Sequence, residues 1–154
     1  MADLTFRRAN KTDVPKIVAL MADDVLGAAR EQAGPHLPDA YFTAFEAIDA
    51  DEKQFLAVVE EGGQMVGTLQ LTLLPYLGRV GALRGQIEAV RVASDRRGQG
   101  IGEAMMTWAI EQCRQRGCGL VQLTSDKTRS GAHRFYDRLG FTASHVGYKL
   151  DLRG

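Results

Sequence analysis

The sequence predicts an α/β fold of the α+β kind: one mixed central sheet with helices on both of its faces. Two observations carry this. Strand-like and helix-like stretches alternate along the chain in the order β-α-α-β-β-β-α-β-α-β. In addition, an apolar, β-branched run, Gln86-Ile87-Glu88-Ala89-Val90-Arg91-Val92, leads through Arg96-Arg97-Gly98-Gln99-Gly100-Ile101-Gly102 straight into a helical pattern over residues 103–116. A strand that enters a helix through a glycine turn is the building unit of a layered sheet-and-helix fold.

The elements follow in order. Leu4-Thr5-Phe6-Arg7 reads as a first strand. Thr12 is the expected N-cap of a helix with Pro15 in its first turn and Val14, Ile17, Val18 and Met21 on one face. Gly34-Pro35-His36-Leu37-Pro38 breaks the chain before a second helix carrying Tyr41, Phe42, Phe45 and Ile48. Phe55 to Val59, a turn at Glu61-Gly62-Gly63 and Met65 to Leu73 form a hairpin pattern. Pro75-Tyr76-Leu77-Gly78 is a loop before the Gln86 strand. The long helix buries Ile101, Met105, Trp108, Ala109 and Cys113, and Leu120 to Thr124 is a near-continuous apolar strand. Ser130 to Leu139 is a short helix that Gly140 ends, and Phe141 to Leu150 returns as an extended segment.

Size and charge narrow the function. A chain of 154 residues fits a single domain, here 1–154, with no repeat and no linker. Lys and Arg total 19 and Asp and Glu total 19, so no basic field argues for nucleic acid or an anionic membrane. No stretch reaches the roughly 18 consecutive apolar residues of a membrane span. Asp3, Arg7 and Arg8 near the start are unlike a secretory signal, which makes a cytoplasmic location the expectation. Cys113 and Cys118 flank a helix end in no metal pattern and are expected to be free thiols.

The glycine turn is the chemically informative segment. The first backbone N–H groups of a helix have no partners inside the helix and sit at its positive end, so they suit an anion. Glycines let phosphate oxygens approach the backbone, and Arg96 and Arg97 add charge. Known nucleotide loops do not fit. A P-loop requires Lys-Ser/Thr after the last glycine, where Glu103 stands, and a dinucleotide fingerprint requires Gly-x-Gly-x-x-Gly rather than Gly98-x-Gly100-x-Gly102. A purely structural strand-to-helix turn is the alternative.

Arg97-x-x-Gly100-x-Gly102, preceded by Val90-Arg91-Val92, resembles the acyl-CoA-binding motif of the GNAT N-acetyltransferases. Ala132-His133-Arg134-Phe135-Tyr136-Asp137-Arg138-Leu139-Gly140-Phe141 resembles the second signature of that family. The resemblance covers essentially the whole chain, the first 50 residues mainly in pattern. It implies a GNAT-like domain with acetyl-CoA as co-substrate and no metal. The amides of Gly98, Gln99, Gly100, Ile101 and Gly102, with Arg97, would hold the pyrophosphate, and Val90, Arg91 and Val92 the pantetheine arm. It also implies that the strands at 86–92 and 120–124 splay apart around that arm. Many members carry an asparagine where Arg129 stands here, so either Arg129, Ser125 or Asp126 takes over that contact or none does.

Acetyl transfer to an amine needs the neutral amine, only about one part in a thousand of an alkylamine near neutral pH. A carboxylate within reach can take the proton. Glu88, alone in an apolar strand, is the candidate base. The alternatives are a water held by backbone carbonyls, or a structural Glu88 that points to solvent or pairs with Arg84 or Arg91. Tyr136, by the resemblance, is the candidate acid that protonates the departing thiolate. Its alternative role is core packing beside Phe135. Tyr76, Glu31 and His36 border the acceptor side in the resembling fold, and Tyr41, Phe42 and Phe45 either shape a pocket or face the core. The expected activity is acetyl transfer from acetyl-CoA to the primary amine of a small metabolite. Acetylation of a peptide amine, a non-catalytic acyl-CoA sensor and a homodimeric interaction module are the other readings, and a homodimer is compatible with all of them.

Overall fold

A computed structural model describes residues 3–153. The chain divides into two compact units, Met1–Gln122 and Leu123–Gly154. The first holds the entire sheet, five strands in the order β1-β2-β3-β4-β5: β1 (Leu4–Arg8), β2 (Gln54–Glu61), β3 (Gln64–Pro75), β4 (Leu83–Val92) and β5 (Cys118–Gln122). The first four pair antiparallel and β5 joins β4 in parallel, so the expected mixed sheet forms.

Helices cover both faces of this sheet. On one face lie α1 (Val14–Ala22), α2 (Val25–Arg30) and α3 (Asp39–Ala50). Val14, Ile17, Val18 and Phe45 pack there with Val58, and Met21, Tyr41, Phe42 and Leu56 close the edge. The three aromatic residues of α3 therefore serve this core. Strand alternation sends Phe55, Ala57 and Val59 to the opposite face. That face is covered by α5 (Ile101–Gln115), whose Trp108 stacks on Phe6 at 4.9 Å and meets the edge of Phe55 at 5.3 Å. Met105, Met106, Ala109 and Cys113 complete the second core. Between β3 and β4 a single turn, α4 (Gly78–Gly81), takes left-handed backbone at Arg79 and Val80.

Local chemistry differs from expectation in three places. Asn10, not Thr12, caps the first helical turn: its side chain accepts from the Thr12 N–H at 3.0 Å, while Asp13 accepts from the Asn10 N–H at 2.7 Å. Helix α2 was not foreseen, although Asp24 marks its start by accepting from the Gly27 N–H. The last paired strand is Cys118–Gln122, two residues earlier than expected, because its partner register on β4 runs only from Leu83 to Gln86.

The second unit contains α6 (Ser130–Arg138), ended by Gly140 at φ 92°. The segment expected as a final strand at 141–150 is not one, since none of the described residues pairs with it in a ladder. Alternating apolar residues specify a strand only where another strand offers its edge.

Candidate active site

Two irregularities of β4 define the site. The first is where its parallel partner ends. The β4–β5 ladder stops at Gln86↔Gln122, yet β4 continues to Val92 along β3, so its edge from Ile87 onward has no strand beside it among the described residues. The second is a β-bulge. Gln70 pairs with Glu88 and Thr68 with Arg91, so three steps along β4 match two along β3. The extra residue is accommodated by Ala89 at φ 53°, a left-handed conformation that costs an L-residue about 1–2 kcal/mol.

Directly after this open edge comes the glycine turn. Ser94–Arg96 forms one 3-10 turn, and Gly98 and Gly100 take φ 76° and 81°. A Cβ on either would meet no atom within 4 Å, so the glycines serve backbone conformation and leave open space above the turn. Gly100 is the N-cap of α5 and no side chain caps that helix. The amides of Ile101, Gly102 and Glu103 thus lie in the uncapped first turn.

The arginines divide by partner. Arg96 forms an ion pair with Glu61 and donates to Gln99 at 3.3 Å. Arg91 pairs with Asp24 at 3.5 Å. Arg97 donates to the Val92 carbonyl at 3.3 Å and the Asp23 carbonyl at 3.0 Å. Both acceptors are uncharged, so Arg97 brings net positive charge to the turn.

Glu88 is exposed on the sheet face that carries α1 and α3. Its Oε1 accepts from Gln86 Nε2 at 2.9 Å. Neither alternative pairing foreseen for it forms directly: Arg91 turns to Asp24, and Arg84 reaches toward Glu88 only through two glutamines. Around it the sheet presents a polar floor, with Gln54, Thr72, Gln86 and Gln122 in one row across four strands. An uncapped helix start and a glycine turn, next to an open strand edge that carries Glu88, suit a ligand with an anionic group such as phosphate.

The sequence pattern of the acetyltransferase (GNAT) family matches residues 21–141. The chain belongs to that family. It is accordingly an N-acetyltransferase, and acetyl-CoA is the acyl donor that the family uses. The aminoalkylphosphonate N-acetyltransferase of Salmonella typhimurium strain LT2 is 30% identical to this acetyltransferase over 142 residues, 92% of this chain and 87% of that one. A crystal structure from Bacillus halodurans C-125, described as a transcriptional regulator, matches at TM-score 0.94 and 47% identity over 97% of this chain and 100% of that chain. A Trypanosoma brucei acetyltransferase structure matches at TM-score 0.78 and 28% identity, over 97% and 100% of the two chains.

The remaining expected residues of the acetyltransferase lie in the second unit. Tyr136 sits on α6 with its ring 5.3 Å from Phe135 and 6.0 Å from Phe141, both edge-on. Arg129 is the N-cap of α6, where its N–H bonds the Asp126 carbonyl at 3.0 Å and its own carbonyl accepts from the His133 N–H at 3.1 Å. The Asp126 carboxylate is occupied by Thr128, which donates through both its N–H and its hydroxyl. Thus one unit assembles Glu88, the β4 edge and the glycine turn, and the other carries Tyr136 and Arg129. Among the described residues no group of three or more His, Cys, Asp or Glu is placed to hold a metal. The floor residues Gln86 and Gln122 were missed from sequence. The available signal was polar residues at alternate positions in otherwise apolar strands.

Proposed function

We propose that the enzyme transfers an acetyl group from acetyl-CoA to the primary amine of a small metabolite, by direct attack in a ternary complex. The observation that carries this reading is the open edge of β4 between the end of the β5 ladder and the glycine turn. Backbone groups of Val90, Arg91 and Val92 pair with the pantetheine amides in the way a strand would. The amides of Gly98, Gln99, Gly100, Ile101 and Gly102 hold the pyrophosphate, Arg97 adds its uncompensated charge, and Arg129 stands where the family's asparagine makes a polar contact.

Glu88 takes the proton from the ammonium form of the acceptor. The amine lone pair then attacks the thioester carbonyl to form the new C–N bond. As the C–S bond breaks, the nitrogen loses its second proton to water, and Tyr136 gives a proton to the departing thiolate and regains one from solvent. A free thiol has a pKa near 8.5, so the transfer from Tyr136 helps without being indispensable. A carboxylate base on a polar floor favours a cationic, hydrogen-bonding acceptor. The Salmonella relative, named for aminoalkylphosphonates, supports a small amine over a protein terminus.

A non-catalytic acyl-CoA-responsive domain is the second reading, favoured by the description of the Bacillus halodurans relative as a transcriptional regulator. Calorimetric titration with acetyl-CoA, with NADH and ATP as controls, followed by free-thiol release over a panel of amines, separates the two. Binding of acetyl-CoA alone with amine-dependent thiol release is the expected result. Binding without release from any amine supports the sensor, and no binding overturns both readings.

A further inference from the structure

We infer that Arg84, Gln122 and Gln86 form a directed hydrogen-bond chain that orients Glu88, making them positioning residues for proton removal from the acceptor. The inference rests on the reading of Glu88 as base. Arg84 Nη1 donates to Gln122 Oε1 at 3.1 Å, Gln122 Nε2 donates to Gln86 Oε1 at 2.8 Å, and Gln86 Nε2 donates to Glu88 Oε1 at 2.9 Å. The chain begins on a cation that stacks over the Tyr76 ring, its guanidinium carbon 3.4 Å from the ring centroid, and ends on a carboxylate.

The direction of the chain is dictated by its ends. A guanidinium has only donors, so Gln122 must turn its oxygen to Arg84 and its NH2 to Gln86. Gln86 in turn must accept from Gln122 and give its NH2 to Glu88. The amide that meets Glu88 is thereby committed to donating, which suits the ionised carboxylate and holds one of its oxygens still. The second oxygen remains for the acceptor ammonium.

Cross-strand register makes this possible. Gln86 and Gln122 are direct partners in the last pair of the parallel ladder, and Gln86 and Glu88 are two residues apart on one face. On the other side, Gln70 lies directly opposite Glu88 and sends its own amide N–H to Gln54 Oε1 at 2.9 Å. The final pair of the ladder thus performs two tasks: it ends the β4–β5 pairing and aims the base.

Gln122→Glu is the discriminating change. It keeps the shape and strengthens the bond to Arg84, but a carboxylate cannot donate to Gln86. Gln86 must then turn its NH2 toward position 122 and its oxygen toward Glu88, where two acceptors repel. The expected result is a kcat about tenfold lower, with the KM for acetyl-CoA and the melting temperature unchanged. In a Glu88→Gln background the same change has no further effect, because no carboxylate remains to be aimed. Gln86→Met, which removes the donor, gives a similar loss if the first variant folds poorly. An unchanged kcat in both variants, with Glu88→Gln strongly impaired, overturns the chain and leaves the base in place. Full activity of Glu88→Gln itself overturns the base and the chain together, and equal losses with and without the carboxylate assign these residues to structure alone.

Discussion

Glu88 and Arg91 are three residues apart on β4 and nevertheless project from the same face of the sheet. An unbroken strand would send them to opposite faces. Their register partners, Gln70 and Thr68, are two residues apart on β3, and the bulge at Ala89 absorbs the difference. The consequence is functional geometry. Arg91 can reach Asp24 at the start of α2, Glu88 stands on the polar floor, and the backbone between them is freed from its ladder.

Ala89 is the most economical place to test this. Ala89→Gly removes the left-handed strain and is expected to leave kcat within about twofold and to hold or raise stability, by up to ~1 kcal/mol. Ala89→Val cannot take φ 53° without larger cost, so the bulge is expected to shift. Thermal unfolding and kcat/KM measured together check this: Val loses both, Gly neither.

For the glycine cradle, Gly100→Val is expected to weaken acetyl-CoA binding at least ~10-fold, equivalent to ~1.4 kcal/mol, by calorimetry. No neighbouring atom obstructs a side chain there, but valine is strained at φ 81°, so a lower melting temperature is expected, and affinity is compared below it, where circular dichroism is native. Unchanged affinity would remove the pyrophosphate from this turn.

Replacement of the proposed base separates chemistry from binding. Glu88→Gln is expected to lower kcat ~100-fold or more while the Kd for acetyl-CoA is unchanged, since the donor contacts proposed above lie on the strand edge and turn. Stopped-flow thiol release and donor titration on the same preparation test this split.

Acid stability has a local source at the other end of the sheet. Arg7 donates to Asp13 at 2.7 and 3.0 Å and, with the Asn10 N–H, holds its carboxyl below the usual carboxylate range. A depressed folded value means that the unfolded chain binds the proton more readily. The stabilisation is therefore complete above about pH 4 and is lost as pH falls through the folded value. Asp13→Asn is expected to cost about 2 kcal/mol at neutral pH and to flatten this part of the acid limb, read by urea unfolding between pH 2 and 7.

The two thiols should react unequally. Burial pushes the Cys113 thiol up to about 12, and the adjacent Cys118 adds to the shift. Iodoacetamide at pH 8 is expected to label half-exposed Cys118 first and Cys113 only after unfolding, as peptide mass mapping would reveal.

Much of this was legible because it depends on near neighbours in the chain. The glycine turn, the buried stripe of α5 and the hairpin at Gly62-Gly63 follow from backbone freedom and periodicity within a few residues. The cap at Asn10 was misplaced by two positions because Asn10 and Thr12 are both competent, and the choice fell to the residue whose partner three along is Asp13. Helix α2 was missed for want of an apolar stripe long enough to register. The segment at 141–150 has the alternation of a strand without a ladder, a matter of which edges are at hand.

Residues 86–116, by their own chemistry, made a glycine turn at an uncapped helix start and placed a lone carboxylate in the strand before it. That much needs only bond geometry, hydrogen-bonding valence and side-chain charge, all properties of adjacent residues. The bulge that turns Glu88 and Arg91 to one face, the early end of β5 and the chain from Arg84 to Glu88 arise only when distant strands come into register. Ala89 adopts its costly conformation because β3 holds both sides of it, and Gln122 meets Gln86 across 36 residues of sequence. Pairings of that kind are settled by the energy of the whole sheet, which no local stretch of sequence contains.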